Sequence, residues 1–160
     1  MGDPHRGWWL ALLVLVIAHP CVAQALERYE TELNNCTLTR NARRLPCHGL
    51  VLQQADDHSL RIRFIGSERP SGASVRLTYV SRDLSNHDAL VCQEQRCRLT
   101  PSTWTGQVTS GSWIRFNARG LPDGASGAKL MTGECRITTK QVICDSRTSD
   151  GEHLRAEARL

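Results

Sequence analysis

From residue 48 onward, hydrophobic and polar positions alternate with a period of two. Leu60, Ile62 and Phe64 are interleaved with Arg61 and Arg63, and Val75, Leu77 and Tyr79 with Arg76 and Thr78. Side chains alternate across a strand, so each run predicts a strand with one face in the interior and one in water. Shorter runs of β character lie near 48–53, 88–92, 97–100, 105–109, 112–117, 129–138 and 141–146. Turn signals punctuate them at Asp56-Asp57, Pro70-Ser71-Gly72, Ser110-Gly111, Pro122-Asp123-Gly124 and Asp150-Gly151. Residues 118–128, rich in Gly and Ala, form the longest loop candidate.

Two segments admit a helical period. Leu26, Tyr29 and Leu33 fall on one helical face with Glu27, Glu30 and Glu32 around it, which predicts a short helix over 26–34. At the C-terminus, Leu154 and Ala158 are also four apart. There the unbroken alternation of Leu154, Ala156, Ala158 and Leu160 with Arg155, Glu157 and Arg159 decides for a strand. The expected architecture is therefore mainly β: an antiparallel sandwich or small barrel of short hairpins, with a short N-terminal helix.

The start of the chain follows a different rule. Trp8 to Ala18 is uninterrupted apolar sequence, ended by His19 and Pro20. Eleven residues of helix rise about 16 Å, roughly half a bilayer core, so the segment is too short to span. Ala23-Gln24-Ala25 supplies the small-x-small pattern of a signal-peptide cleavage site. Residues 1–25 are read as a signal peptide, with cleavage after Ala25 preferred to cleavage after Ala23, and 26–160 as a single domain without a transmembrane segment. Cys21 is preceded by Ala18-His19-Pro20 and does not fit a lipobox, and Arg6 stands where a myristoylation signal needs Ser or Thr.

Removal of that leader takes Cys21 with it and leaves six cysteines: Cys36, Cys47, Cys92, Cys97, Cys135 and Cys144. An even number in an exported chain reads as a disulfide framework. A two-residue turn at Thr139-Lys140 sets Cys135 opposite Cys144, and one at Glu94-Gln95 sets Cys92 opposite Cys97. Both are non-hydrogen-bonded pairs, whose Cα separation suits a disulfide. Neither turn is a favoured hairpin sequence, but a longer loop about the same centre keeps the cysteines facing. Cys36 and Cys47 are left to each other, tying the expected helix to the first strand. Closing three such short rings removes unfolded-state entropy worth roughly 7–8 kcal/mol, which rivals the net stability of a whole domain. The bridges are structural on this reading.

No catalytic or cofactor motif accompanies them. C-x-x-C, C-x-x-C-H, G-x-S-x-G, G-x-G-x-x-G and the P-loop pattern are all absent. A zinc site drawn from the cysteine spacings with His48 is disfavoured in an exported protein, so no metal and no cofactor are expected. His58 sits in Asp56-Asp57-His58 and His87 in Asn86-His87-Asp88, both of which read as polar turns. Trp104 and Trp113 flank a Gly/Ser/Thr-rich stretch, and core packing is preferred to a carbohydrate or partner contact. Asn35-Cys36-Thr37 satisfies the glycosylation sequon.

Charge adds one distributed feature. The net charge is +4, with eighteen Arg against two Lys. Arg61, Arg63, Arg76, Arg115, Arg136, Arg155 and Arg159 fall opposite the apolar residues wherever alternation is legible. If their strands share one sheet, that face is suited to phosphate, sulfate or carboxylate groups, because the guanidinium fork grips them bidentately. The function expected from the sequence is an exported, non-catalytic β domain. It would be a binding or structural module, with an anionic polymer or an envelope protein as the partner. The alternative is a small exported hydrolase using a histidine and a carboxylate assembled by the fold.

Overall fold

The structure is a computed structural model that describes residues 28–56, 58–93, 96–124 and 127–160. The expected signal peptide and its cleavage site lie outside the described residues. Eleven strands follow in order: β1 (Arg28–Glu32), β2 (Asn35–Arg40), β3 (Arg43–Asp56), β4 (Ser59–Glu68), β5 (Ala73–Asp83), β6 (Leu90–Gln93), β7 (Arg96–Leu99), β8 (Trp104–Phe116), β9 (Lys129–Ile137), β10 (Gln141–Thr148) and β11 (His153–Arg159).

Eight of them close an antiparallel barrel, in the order β3-β2-β11-β10-β9-β8-β5-β4 with β4 returning to β3. Closure depends on β3, which is long enough to serve two neighbours. Its first residues, Arg43–Pro46, pair with β2, and the stretch from Gly49 to Asp56 pairs with β4. A register shift between Cys47 and Gly49 leaves His48 without a partner on β4 where β3 passes from one neighbour to the other, and its carbonyl accepts instead from the Leu33 backbone N–H at 2.8 Å. Of the two architectures the sequence admits, the barrel is the one formed.

The alternation defines inside and outside. Leu60, Ile62 and Phe64 on β4, Val75, Leu77 and Tyr79 on β5, and Val142 and Cys144 on β10 fill the lumen, all at 1% exposure or less. The outer positions of the same strands carry mostly arginine, serine and threonine, with Ile65, Val80 and Ile143 among them. The C-terminal run is β11, as the alternation predicts, with Leu154, Ala156 and Ala158 inward.

The expected helix over 26–34 does not form. Residues Arg28–Glu32 are β1, paired antiparallel with Gly49–Gln53 of β3. Tyr29 packs against the core and Leu33 is buried in it, on a period of two and not of 3.6. A helix this short is marginal in water. The open edge of β3 offers the segment a ladder of backbone hydrogen bonds instead.

All three disulfides have the expected partners. Cys135 faces Cys144 across β9–β10 with Cα atoms 4.0 Å apart, and Cys92 faces Cys97 across β6–β7 at 4.0 Å. Cys36–Cys47, with Cα atoms 4.9 Å apart, joins β2 to β3 and not a helix to a strand. At the β9–β10 turn the Thr138 hydroxyl accepts from the backbone N–H of Lys140 and Gln141 at 3.2 and 3.1 Å. That side-chain acceptor explains how Thr139-Lys140 turns without Asn-Gly. Three disulfides place the folded chain in an oxidising environment.

Ser110-Gly111, expected as a turn, lies inside β8. The runs 105–109 and 112–117 are one strand with a bulge between Val108 and Ser110, where the register to both β5 and β9 slips. The bulge reverses the parity of everything after it. Before it Trp104, Gly106 and Val108 face inward, and after it Gly111, Trp113 and Arg115 do, opposite Tyr79, Leu77 and Val75.

The two ends of the barrel differ. The β6–β7 hairpin is inserted between β5 and β8 and packs Ala89, Leu90 and Leu99 onto the core beside β1. At the other end, the β2–β3, β4–β5, β8–β9 and β10–β11 connections surround an open mouth.

Candidate anion-binding surface

Barrel closure decides which arginines are neighbours. Arg61 and Arg63 lie on the outer face of β4, and Arg76 lies on the outer face of β5, one register row from Arg63. Arg28 stands at the start of β1, across Gln53 of β3 from Arg61. Four guanidiniums therefore cross the wall diagonally from β1 to β5, where only the first carries an ion pair, to Glu30. Among the described residues, Arg61, Arg63 and Arg76 form no ion pair.

Arg63 is at the centre of this group, between Val51 on β3 and Thr78 on β5. Its Nε is buried and has no hydrogen-bond partner. Burial, reinforced by Arg76, Arg61 and Arg28, pulls the Arg63 pKa below its ordinary value, with Glu30 opposing. The group stays charged, since an arginine does not lose its proton in a protein. The depression comes first from burial, and the three neighbouring guanidiniums add to it. Arg76 lies over the ring of Phe116 at 4.8 Å, a cation–π contact that holds the guanidinium flat against the wall. Phe116 faces outward only because of the bulge in β8.

The other expected arginines lie elsewhere. Arg155 on β11 bonds Asp145 at 2.9 Å and Glu157 at 3.2 Å, roughly half the circumference away from β4. Arg136 on β9 pairs with Glu134 at 3.9 Å. Arg159 ends β11, opposite Asn35 and Gln141. Arg115 is the correction of kind: the bulge turns it to the inner side of the mouth, where it bonds Glu68 at 2.9 Å and Asp123. The seven do not share a face; Arg61, Arg63 and Arg76 do, and Arg28, absent from the expected set, joins them. Its segment carries a helical period in the sequence, which gives Arg28 no strand parity.

The histidines test the alternative chemistry. His58 and His87 are brought into one open cleft of about 860 Å³ with Asp56, Asp83 and Asp88. Two of these acids are occupied as turn caps: Asp56 accepts from the His58 backbone N–H at 2.9 Å, and Asp83 from the Ser85 N–H at 2.7 Å. Hydrogen bonds from Ser59 and from that His58 N–H hold the Asp56 carboxyl below its ordinary range. His87 Nδ1 lies 2.9 Å from the Ser85 carbonyl oxygen and therefore carries the proton, which leaves its buried Nε2 as a lone pair without a partner. The histidine that does reach an acid is His153, 2.8 Å from Asp145 on the outer wall. Burial pushes the Asp145 carboxyl up, and the bonds from Arg155 and His153 outweigh it, so the pKa is held low. Among the described residues no group of three His, Cys, Asp or Glu side chains is arranged to hold a metal.

No protein-family model matches the chain, and no curated protein matches it. Among solved structures the chain is similar to a redesigned β-barrel, at 13% identity over 83% of this chain and 88% of that one, with a TM-score of 0.38. A likeness that distant says nothing about function.

Proposed function

We propose that the chain is an exported, non-catalytic β-barrel that binds a linear anionic polymer across the wall formed by β1, β3, β4 and β5. Residues 1–25 direct it out of the cytoplasm and are removed near Ala25, and the mature domain works in the periplasm or outside the cell. The oxidised cysteines support that compartment. The observation that carries the reading is the convergence of Arg28, Arg61, Arg63 and Arg76 on one stretch of wall, with the like charges around Arg63 outnumbering the opposing Glu30. Arg61, Arg63 and Arg76 have no ion pair among the described residues, and an anion spanning them relieves their mutual repulsion. Their diagonal spread over several strands suits an extended polymer better than one small ion. Among the described residues the histidines in the cleft bond no carboxylate, and the bonded pair lies on the outer wall, which favours this reading over the hydrolase alternative.

Retention on an immobilised sulfated polysaccharide tests the reading. The mature protein is expected to be retained at low salt and to elute as salt rises, and the Arg61→Gln/Arg63→Gln/Arg76→Gln variant to flow through. Equal retention of the two proteins overturns the assignment of the site.

A further inference from the structure

The open mouth of the barrel is a second site, independent of the arginine wall. It holds a cavity of about 380 Å³, within the roughly 300–1,000 Å³ range of small-ligand pockets and at a position, the end of a β-barrel, where such pockets recur. Met131 and Leu154, at 4% and 1% exposure, form an apolar floor, and Trp113 is half-buried on its side, with the Arg40 guanidinium over its ring at 5.6 Å from the centroid. Trp113 reaches this position because the bulge in β8 turns it inward. Had the alternation run unbroken, its indole would face the outside of the barrel.

The rim is charged but balanced. Arg40 bonds Glu152 at 2.6 Å, Lys129 bonds Asp150 at 2.7 Å and approaches Glu152 at 3.8 Å, and Arg115 is held between Glu68 and Asp123. Thr148, 5% exposed, fixes the rim from beneath through its hydroxyl, which also accepts from the Glu152 backbone N–H at 2.9 Å. Each charged side chain that lines the cavity is thus already neutralised by a neighbour and held in place by it. A charged ligand would have to break one of these pairs. A neutral one need not, and it meets a dense set of oriented donors and acceptors beside an aromatic face.

We infer that the mouth binds a neutral polyhydroxylated ring, a hexose-type sugar unit. The apolar face of the ring lies on the part of the Trp113 indole that the Arg40 guanidinium leaves uncovered, and its hydroxyls bridge the carboxylates of Glu152 and Asp123 and the nitrogens of Arg40, Arg115 and Lys129. The contrast with the outer wall is chemical: unpaired cations there select anions, and paired charges around an indole select uncharged hydroxyl groups.

Indole fluorescence of the mature protein reads the site directly, because Trp104 is buried and Trp113 is not. The probes are glucose, galactose, mannose, N-acetylglucosamine and N-acetylgalactosamine, with glucuronate and sulfate as charged counterparts. At least one neutral sugar is expected to change the emission saturably at millimolar concentration, with sulfate silent. In Trp113→Ala the affinity, read by calorimetry, falls about tenfold or is lost. Lys129→Gln, on the exposed rim, weakens binding without disturbing the fold, which keeps the test informative if Trp113→Ala is unstable. A response confined to glucuronate and sulfate, or no saturable response to any of the neutral sugars, overturns the inference.

Discussion

Arg63 sits between Val51 and Thr78 with its Nε out of water and three guanidiniums around it. Replacement by glutamine removes one member of a like-charge group, so the free protein should lose no stability. Its affinity for a sulfated polymer should nevertheless fall about tenfold, the loss of one charge-assisted contact. Thermal melts and binding isotherms of the same Arg63→Gln sample separate the two effects. Loss of both together would instead mark Arg63 as a packing residue. A different residue makes the opposite kind of demand. A Cβ at Gly106 would stand 2.2 Å from the Trp104 ring, which lies buried against the glycine. Gly106→Ala is therefore expected to destabilise by about 1–3 kcal/mol in urea unfolding, with no effect on polymer binding. Nothing in the sequence around Gly106 announces this contact. Trp104 is legible as a core residue, but the surface it packs against is fixed only by the chain's path.

What was legible in the strands was local. The Cys135–Cys144 register follows from counting outward from a turn, because partners in a hairpin are close in sequence and parity is conserved between them. The parity of Leu60, Ile62 and Phe64 is readable for the same reason. β1 was not legible, since its partner on β3 begins seventeen residues beyond its own end and nothing near residue 28 records that an open edge awaits it. The β8 bulge was misread because Ser110-Gly111 carries turn composition, and a bulge uses the same residues for a smaller deviation. That one misreading conceals two placements, Trp113 in the mouth and Phe116 under Arg76. The β9–β10 hairpin is where the disulfide prediction is sharpest. Cys135→Ala/Cys144→Ala should lower unfolding stability by about 2–4 kcal/mol in urea, since the bridge is fully buried and closes its ring in the unfolded chain. An unchanged midpoint would show that the ladder holds the hairpin without its staple.

Over the whole molecule, closure distributes the charge. A sandwich would have left the outward arginines on one or two flat faces; the barrel spreads them around a circumference, so that only neighbours on β1, β4 and β5 act together. Local alternation gives the side of the wall for Arg61, Arg63 and Arg76 but not for Arg28 or Arg115, and it gives no arginine its angle about the axis. The ends carry the acid response. Bonds from Lys129 and Thr148 hold Asp150 down to about 2, from 3.8. A carboxylate whose folded pKa is depressed contributes fully above its unfolded value and loses that contribution as pH falls through the folded one. Thermal stability should therefore be level above about pH 4 and fall between pH 4 and 2, with Asp145 adding to the loss in the same direction. Asp150→Asn should flatten part of that fall. A melting temperature that stays level from pH 4 to 2 would contradict this.

The most direct measurement is the dependence of the binding constant for a sulfated polysaccharide on salt, for the mature protein and for Arg61→Gln/Arg63→Gln/Arg76→Gln. Each guanidinium that neutralises an anionic group releases counterions, worth roughly 0.7–0.9 in the slope of log K against log salt. The triple variant should lose about 2–3 from that slope, one contact for each arginine removed. Equal slopes, or binding of the mature protein that ignores salt, would contradict a polyanion seated on this wall.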